Sequence, residues 1–431
     1  MSHVPKPVPD LVPAVVLPSP HHVGLGITRS LGRLGVPVFN VDSSRWAPAF
    51  FSKYCRGRSV WDFETASSEA SLEFLTQLAE RIGKPSVLIP TTDTTAVFMA
   101  DHEEALRNKY VFARQDSLLV RALCNKSDMH NLARKTGVCV PDSTVPKTRS
   151  DLWSCFKTSV YPLILKSIDT RYRKRKSKTK VLLRNRQEAY ALYDRIQDEV
   201  IGNVMVQDWI PVGPATDWMF NGYFDQRSRR IAAFTGKKAR QFPPDLGVTS
   251  LGICEANQAV EEIATRFLGT LRYRGAVDMD FRYDYRDRKY KLLDVNPRVG
   301  GSFRLFVSED NLDIVRVLYL DQTGRPVAAP RLPEGRTWAV EDYDFVAAFH
   351  YVSQRRVSAR KWLASFRDVQ EFGFLSADDP IPAILMLRDD LSEMLALLES
   401  ARRPVAPFEN NPGAATSEFT YSNSPASQGE L

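Results

Sequence analysis

The stretch Val277–Arg298, VDMDFRYDYRDRKYKLLDVNPR, decides how the chain is read. Two alternating segments, 275–282 and 289–296, flank a polar turn at Asp284–Arg288, the pattern of an antiparallel hairpin. Pairing centred on Asp287 sets Asp280 opposite Asp294 and Asp278 opposite Asn296. All four then share one face, with Val277, Met279, Phe281, Leu293 and Val295 on the other. A slip of one residue would mix the faces and is disfavoured by burial. Carboxylates opposed across a hairpin repel each other and need a counter-charge. Asp280, Asp294 and Asn296 are the oxygen donors that Mg²⁺ or Mn²⁺ takes when phosphate oxygens complete its shell. A solvated polar face on an edge hairpin would also alternate. Asn296-Pro297-Arg298 adds something that such a face does not explain: an amide and a guanidinium directly beyond the carboxylate, where arginine can bind a carboxylate bidentately or stabilise an oxyanion.

Outward from the hairpin, the 431 residues suggest two or three domains. An apolar run at Ala14–Leu17, a helical pattern over 25–34 and a strand over 36–41 open a parallel α/β arrangement. It continues with a helix over 67–82, the strand Ser86–Pro90, a helix over 94–107 and a short strand at 110–113. A doubly wound α/β domain is therefore expected over 14–120, after a flexible lead at 1–13. A helix over 127–136 ends at Gly137, a residue suited to a left-handed cap. Strands at 162–167, 181–184 and 204–210 with a helix over 187–199 form a small α+β layer. Further strands are expected at 218–224 and 230–234, and a helix over 258–271. Residues 331–402 read as an α-rich region, and 403–431 as a disordered tail of Pro, Ser, Asn and Gly.

The net charge is +7, and the run Arg171–Lys180, RYRKRKSKTK, holds seven basic residues and no acidic one, so it accounts for the whole excess. This is a neutral protein with one concentrated positive segment. No apolar stretch is long enough to span a membrane, and the N-terminus lacks the build of a signal peptide, so a cytoplasmic protein without a membrane partner is expected. The five cysteines form no CxxC pair and read as small semi-buried hydrophobes.

The order of signals is informative. Lys126 opens a helix, Lys166 ends the apolar strand in YPLILKS, and Gln207-Asp208-Trp209-Ile210-Pro211 closes another strand. A GKKARQFPP segment at 236–244 follows, and then the hairpin. This succession resembles the ATP-grasp ligase superfamily, most closely its carboxylate-amine ligase branch of D-aspartate ligase-like enzymes, over residues 14–320. The resemblance implies an ATP-grasp fold at 121–330, with a lid subdomain at 121–210 and a metal and substrate subdomain at 211–330. It implies that Lys126 and Lys166 hold ATP phosphates, that Gln207, Asp208 and Ile210 line the adenine site, and that Asp217 holds the ribose. Asp280, Asp294 and Asn296 would bind Mg²⁺, or Mn²⁺. Arg298 with Lys237, Lys238 or Arg240 would face a carboxylate substrate, later joined to an amine through an acyl phosphate. Two features depart from the family's pattern: Asp stands where Glu is frequent at 280 and 294, and the basic run replaces a glycine-rich loop after Lys166.

Other signals rank lower. Gly24-Leu25-Gly26-Ile27-Thr28-Arg29 is a partial dinucleotide fingerprint whose third glycine is Arg29, and is read as a structural turn or a loop near the acceptor. His21 and His22 are expected in a loop. Asp93 is either a ligand-contacting residue or a helix N-cap. An NAD-dependent oxidoreductase, a nucleic-acid-binding protein using the basic run, and a non-catalytic ATP-binding protein stay as alternatives. A homo-oligomer and the identities of the acid and amine are left open.

Overall fold

Short, uninterrupted apolar runs such as Ala14–Leu17 (AVVL) and Ser86–Pro90 (SVLIP) are buried almost throughout, as parallel strands covered on both faces must be. The computed structural model describes residues 11–387 apart from 170, 172–179, 197 and 214, and those up to Met386 belong to one compact unit. Three sheets follow one another along the chain.

The first sheet is wholly parallel: β1 (Ala14–Leu17), β2 (Val38–Asp42), β3 (Cys55–Val60), β4 (Ser86–Pro90) and β5 (Tyr110–Val111), in the order β3-β2-β1-β4-β5. The order reverses between β1 and β4, which opens a crevice at their carboxyl ends. β3 was not expected from sequence. Its residues, CRGRSV, alternate half-buried and exposed at the sheet edge, and their arginines hide the strand pattern.

The second sheet, antiparallel, comprises β6 (Ser143–Thr144), β7 (Leu163–Ser167), β8 (Lys180–Leu183) and β9 (Val204–Asp208), in the order β6-β9-β7-β8. The third has seven strands: β10 (Asp217–Phe224), β11 (Arg230–Phe242), β12 (Val248–Cys254), β13 (Gly275–Asp284), β14 (Lys289–Asn296), β15 (Thr337–Ala339) and β16 (Glu371–Phe372), ordered β14-β13-β10-β11-β12-β15-β16. The region after 331, read as α-rich, thus adds two strands to this sheet as well as the helices Glu341–Ser353 and Ala359–Ser365.

The first helix differs instructively from expectation. It runs over His21–Gly32 and takes in the whole GLGITR segment. Gly24 lies so close to the preceding turn that a Cβ there would come within 2.3 Å of the Ser19 backbone. Arg29 is buried, its Nε donating to Asp379 Oδ2 at 2.9 Å and its Nη2 to the carbonyls of Phe374 and Asp379. The segment is therefore a packed helix interior and neither a phosphate-binding turn nor a loop. His22 is likewise in this helix, its ring 5.6 Å from that of Trp338 and 5.7 Å from that of Tyr343. Burial pushes its pKa down to about 3, so it is neutral.

One large core joins the first helix and β1 to the third sheet, through Leu25, Val16, Met219, Phe234, Phe303 and Leu305. A second covers the opposite face of the hairpin, where the helices Lys126–Lys135 and Gln258–Thr270 pack on Val277, Met279, Phe281, Leu292 and Val295.

Candidate functional site

Asp278 pairs with Asn296, Met279 with Val295, and Asp280 with Asp294, the register that burial demands. A bulge then intervenes, and Phe281 pairs with Leu292. The extra residue corrects one expectation: Leu292, not Leu293, enters the core, while Leu293 lines a cavity. The polar turn is Tyr285–Arg288, one residue later than expected, and Asp284 closes the ladder against Lys289.

That cavity lies between the second and third sheets. Ile164, Lys166, Lys180, Gln207, Trp209 and Ile210 come from one side, and Asp217, Lys238, Asp280, Leu293 and Asp294 from the other. A larger cleft of about 2210 Å³ shares Lys180, Lys238, Asp280 and Asp294 with it and continues past Asn296 and Arg298 to Asp93, His22 and Tyr343. The continuous space runs from a narrow slot with apolar walls, through a belt of charge, to the crevice at the ends of β1 and β4.

Charge is concentrated in the belt. Lys126 is the first residue of its helix, whose N-cap Asn125 accepts from Ser127 N and Asp128 N; its ammonium meets Asp294 at 3.4 Å. Lys238 meets Asp280 at 2.7 Å. Lys166 lies directly across the β7–β8 ladder from Lys180. Burial and the neighbouring Lys180 push the Lys166 pKa down to about 7. Despite burial, Lys126, Lys180 and Lys166 together hold the Asp294 carboxyl down at about 2, so it is ionised. Asp278, buried beside Asp280, is pushed up to about 6. It accepts from Asn221 Nδ2 at 2.9 Å and from Asn296 Nδ2 at 3.1 Å. Arg298 donates from Nη2 to Asn296 Oδ1 at 3.1 Å and from Nε to Asp93 Oδ1 at 3.0 Å.

Of the residues singled out from sequence, Lys126, Lys166, Gln207, Ile210, Asp217, Lys238, Asp280, Asp294, Asn296 and Arg298 all line this continuous space. Three assignments change. Asp208 does not line the slot, because successive strand residues point to opposite faces and Gln207 is the inward one. Arg240 is turned away: register shifts flank it on β11, and its Nε and Nη2 each reach the Asp344 carboxylate at 2.7 Å. Lys237 faces the other side, with its ammonium on Glu255 and 5.5 Å from the Trp218 ring centre. Asp217 is inside the slot, but its carboxylate takes the Arg282 Nε at 2.7 Å. Sequence reasoning took Lys180 only as the last residue of the basic run, read as a clamp for phosphate or an anionic substrate, and did not single it out. The available signal was its position immediately before the apolar Val181-Leu182-Leu183. Most of the run, 172–179, falls outside the described residues; Arg171 pairs with Asp169.

The donors suit a nucleotide and a hard cation. The Gln207 carboxamide oxygen is buried with no hydrogen-bond partner, an unmet acceptor in the slot wall. Among the described residues no group of three or more His, Cys, Asp or Glu side chains converges as a metal cage. Asp280 and Asp294 on one face with the Asn296 amide instead form the sparse oxygen set that Mg²⁺ accepts when phosphates complete its shell.

A slot between two antiparallel sheets, opening onto lysines and an acidic hairpin, is the arrangement of an ATP-grasp fold. No family model matches the chain. Its sequence is 22% identical over 294 residues to a D-aspartate ligase of Enterococcus faecium (strain Aus0004), covering 65% of this chain and 69% of the relative. The fold is similar to N5-carboxyaminoimidazole ribonucleotide synthetase bound to ADP, with a TM-score of 0.61 at 13% identity over 80% of this chain and 86% of that one. It is also similar to an L-amino acid ligase from Bacillus licheniformis, with a TM-score of 0.57 at 15% identity over 76% and 78% of the two chains. The chain shares the fold of these enzymes, the ATP-grasp fold.

Proposed function

We propose that the protein joins a small carboxylate, an amino acid or similar acid, to an amine at the expense of ATP. The observation that carries this is the pair Asp280 and Asp294, directly opposed on the hairpin and faced by Lys126, Lys166, Lys180 and Lys238 in one cleft. The adenine fits the slot of Ile164, Gln207, Trp209, Ile210 and Leu293, where Gln207 offers its unpaired oxygen to the exocyclic amine. Lys126, Lys166 and Lys180 hold the phosphates. Mg²⁺, or Mn²⁺, bound through Asp280, Asp294 and Asn296 would neutralise the phosphoryl oxygens during transfer. Arg298 holds the carboxylate substrate in line with the γ-phosphate. Attack of the carboxylate oxygen yields ADP and an acyl phosphate. The amine then adds to the acyl carbon, Arg298 stabilises the oxyanion and phosphate departs. Lys238 pairs with Asp280 and balances the charge of that carboxylate.

The three sheets support a division into an N-terminal unit over 14–120, a lid over 121–210 and a metal and substrate portion over 211–330. A cytoplasmic setting, where ATP is abundant and thiols stay reduced, suits five unbridged cysteines. Among the described residues no helix is long and apolar enough to cross a membrane.

The test is ADP release with Mg-ATP against D- and L-amino acids and small mono- and dicarboxylates, singly and in pairs, followed by the mass of the condensed product. Pair-dependent ADP formation with a product lighter than its two substrates by one water is expected. No carboxylate-dependent ADP across the panel rejects the proposal.

A further inference from the structure

The N-terminal sheet supplies one carboxylate that neither the nucleotide nor the metal uses. Asp93 stands at the start of the helix Asp93–Asp101, just past β4, where the strand order reverses. It is not the N-cap: the Thr92 hydroxyl accepts from Thr95 N and satisfies that end of the helix. Of the carboxylates lining the larger cleft, Asp278, Asp280 and Asp294 all sit on the hairpin, and Asp93 alone stands on the opposite wall. It touches Arg298, with Nε to Oδ1 at 3.0 Å, and its charge also reaches Lys126.

Resting on the ligase reading, we propose that Asp93 binds the incoming amine as its ammonium and accepts the proton that the amine must lose. The placement follows from the geometry of a tetrahedral carbon, to which the attacking nitrogen and the developing oxyanion are both attached. Two adjacent protein groups of opposite charge, Asp93 and Arg298, serve those two substituents. As the amine adds, an N–H bond breaks and its proton passes to the Asp93 carboxylate. The freed lone pair forms the C–N bond, and the carbonyl electron pair moves to the oxygen facing Arg298. Collapse of that oxyanion expels phosphate, which takes up the second proton of the added nitrogen as it leaves, and restores the carbonyl of a neutral amide. The hairpin carboxylates already have tasks: Asp280 and Asp294 are the proposed metal ligands, and Asp278 accepts from the Asn221 and Asn296 amides.

The test uses two nucleophiles on the full-length protein. With the carboxylate and amine found by the panel, wild type and Asp93→Asn are compared for amide formation and, with hydroxylamine in place of the amine, for hydroxamate formation. Hydroxylamine is neutral at pH 7.5 and needs no proton removed before attack, whereas the amine is cationic. The ratio of amide to hydroxamate should fall about a hundredfold in Asp93→Asn, the scale of a lost general base, and Asp93→Glu should recover part of it. A parallel fall in both products would reduce Asp93 to a support for Arg298, and undiminished yields of both would remove it from catalysis; either result overturns the role. Thermal stabilisation by ATP confirms that the variant is folded, and an unfolded Asp93→Asn transfers the same comparison to Asp93→Glu, where an unchanged ratio again overturns the role. If wild type forms neither product, the ligase reading itself fails and this inference falls with it.

Discussion

Lys166 and Lys180 are direct partners across the β7–β8 ladder, and both ammonium groups open into the same slot. Like charges placed opposite each other destabilise a sheet, and burial adds to the cost. The pair is tolerable because Asp294 faces it, and it becomes favourable when an anion arrives. The strain of the empty site thus becomes affinity for phosphate.

A pH signature follows from this pair. In the free protein Lys166 loses its proton as pH rises through about 7. Nucleotide phosphates favour the charged form and raise that pKa, so ATP affinity is highest below pH 7 and declines as pH climbs above it. At pH 8 ATP binding should take up about one proton. Titration calorimetry in buffers of different ionisation enthalpy measures this directly. Lys166→Met should abolish the uptake, and Lys180→Met should shift it to higher pH by removing the like charge. Constant affinity between pH 6 and 9 without proton uptake would contradict the assignment.

The carboxylate of Asp344 is fully buried and accepts from Arg240 Nε and Nη2, Ser250 Oγ and Trp362 Nε1. Such a pair ties the helix Glu341–Ser353 to β11 and contributes to the fold, not to the substrate site. Removing one partner of a buried pair costs about 3–5 kcal/mol. Arg240→Met should therefore lower the chemical-unfolding midpoint sharply while the folded fraction retains its KM for the carboxylate. A raised KM at unaltered stability would return Arg240 to the substrate site.

Gly300 has no room for a side chain, since a Cβ there would lie 2.3 Å from Asp278 Cγ. Asp278 is the hub that orients Asn296 and, through it, Arg298. Gly300→Ala must push Asp278 aside, and kcat should drop by about tenfold or more, as expected when positioning of a reacting group is lost. The Mg²⁺ concentration needed for half-maximal ADP release should rise with it. Normal metal dependence in a folded variant would show that Asn296 is placed independently of Asp278.

Much of this site is legible in the sequence, because the hairpin has a period of two and one buried face, which together fix the register through Asp280 and Asp294. What escapes is what alternation does not encode. The bulge that exchanges Leu292 for Leu293 is a single extra residue in an otherwise regular strand. Arg240 sits in a basic segment beside Lys238, and only the register shift and a partner 104 residues away, Asp344, reveal its role. β15 and β16 are three- and two-residue strands held by the sheet they join, too short for a periodic signal. The start of the first helix hides because Gly24 and Gly26 imitate a nucleotide turn. Their purpose is close packing, of Gly24 on Ser19 and of Gly26 on Phe303 and Arg304.

Asp294 carries two duties, and its isosteric variant separates them. As the proposed metal ligand it would help to hold the cation beside the nucleotide; as a buried anion it balances Lys126, Lys166 and Lys180. Asp294→Asn keeps the volume and the hairpin register, so far-ultraviolet circular dichroism should be unaltered. ADP release should fall by about a hundredfold or more, in line with the loss of a group that stabilises charge in the reacting complex. The Lys166 pKa should fall further, because the opposing charge is gone, and proton uptake on ATP binding at pH 7 should increase. Mg²⁺ should strengthen ATP binding to wild type and leave the variant nearly indifferent. If Mg²⁺ strengthens ATP binding to Asp294→Asn as it does to wild type while proton uptake grows, Asp294 is a counter-charge alone and the metal assignment must move to Asp280 and Asp278.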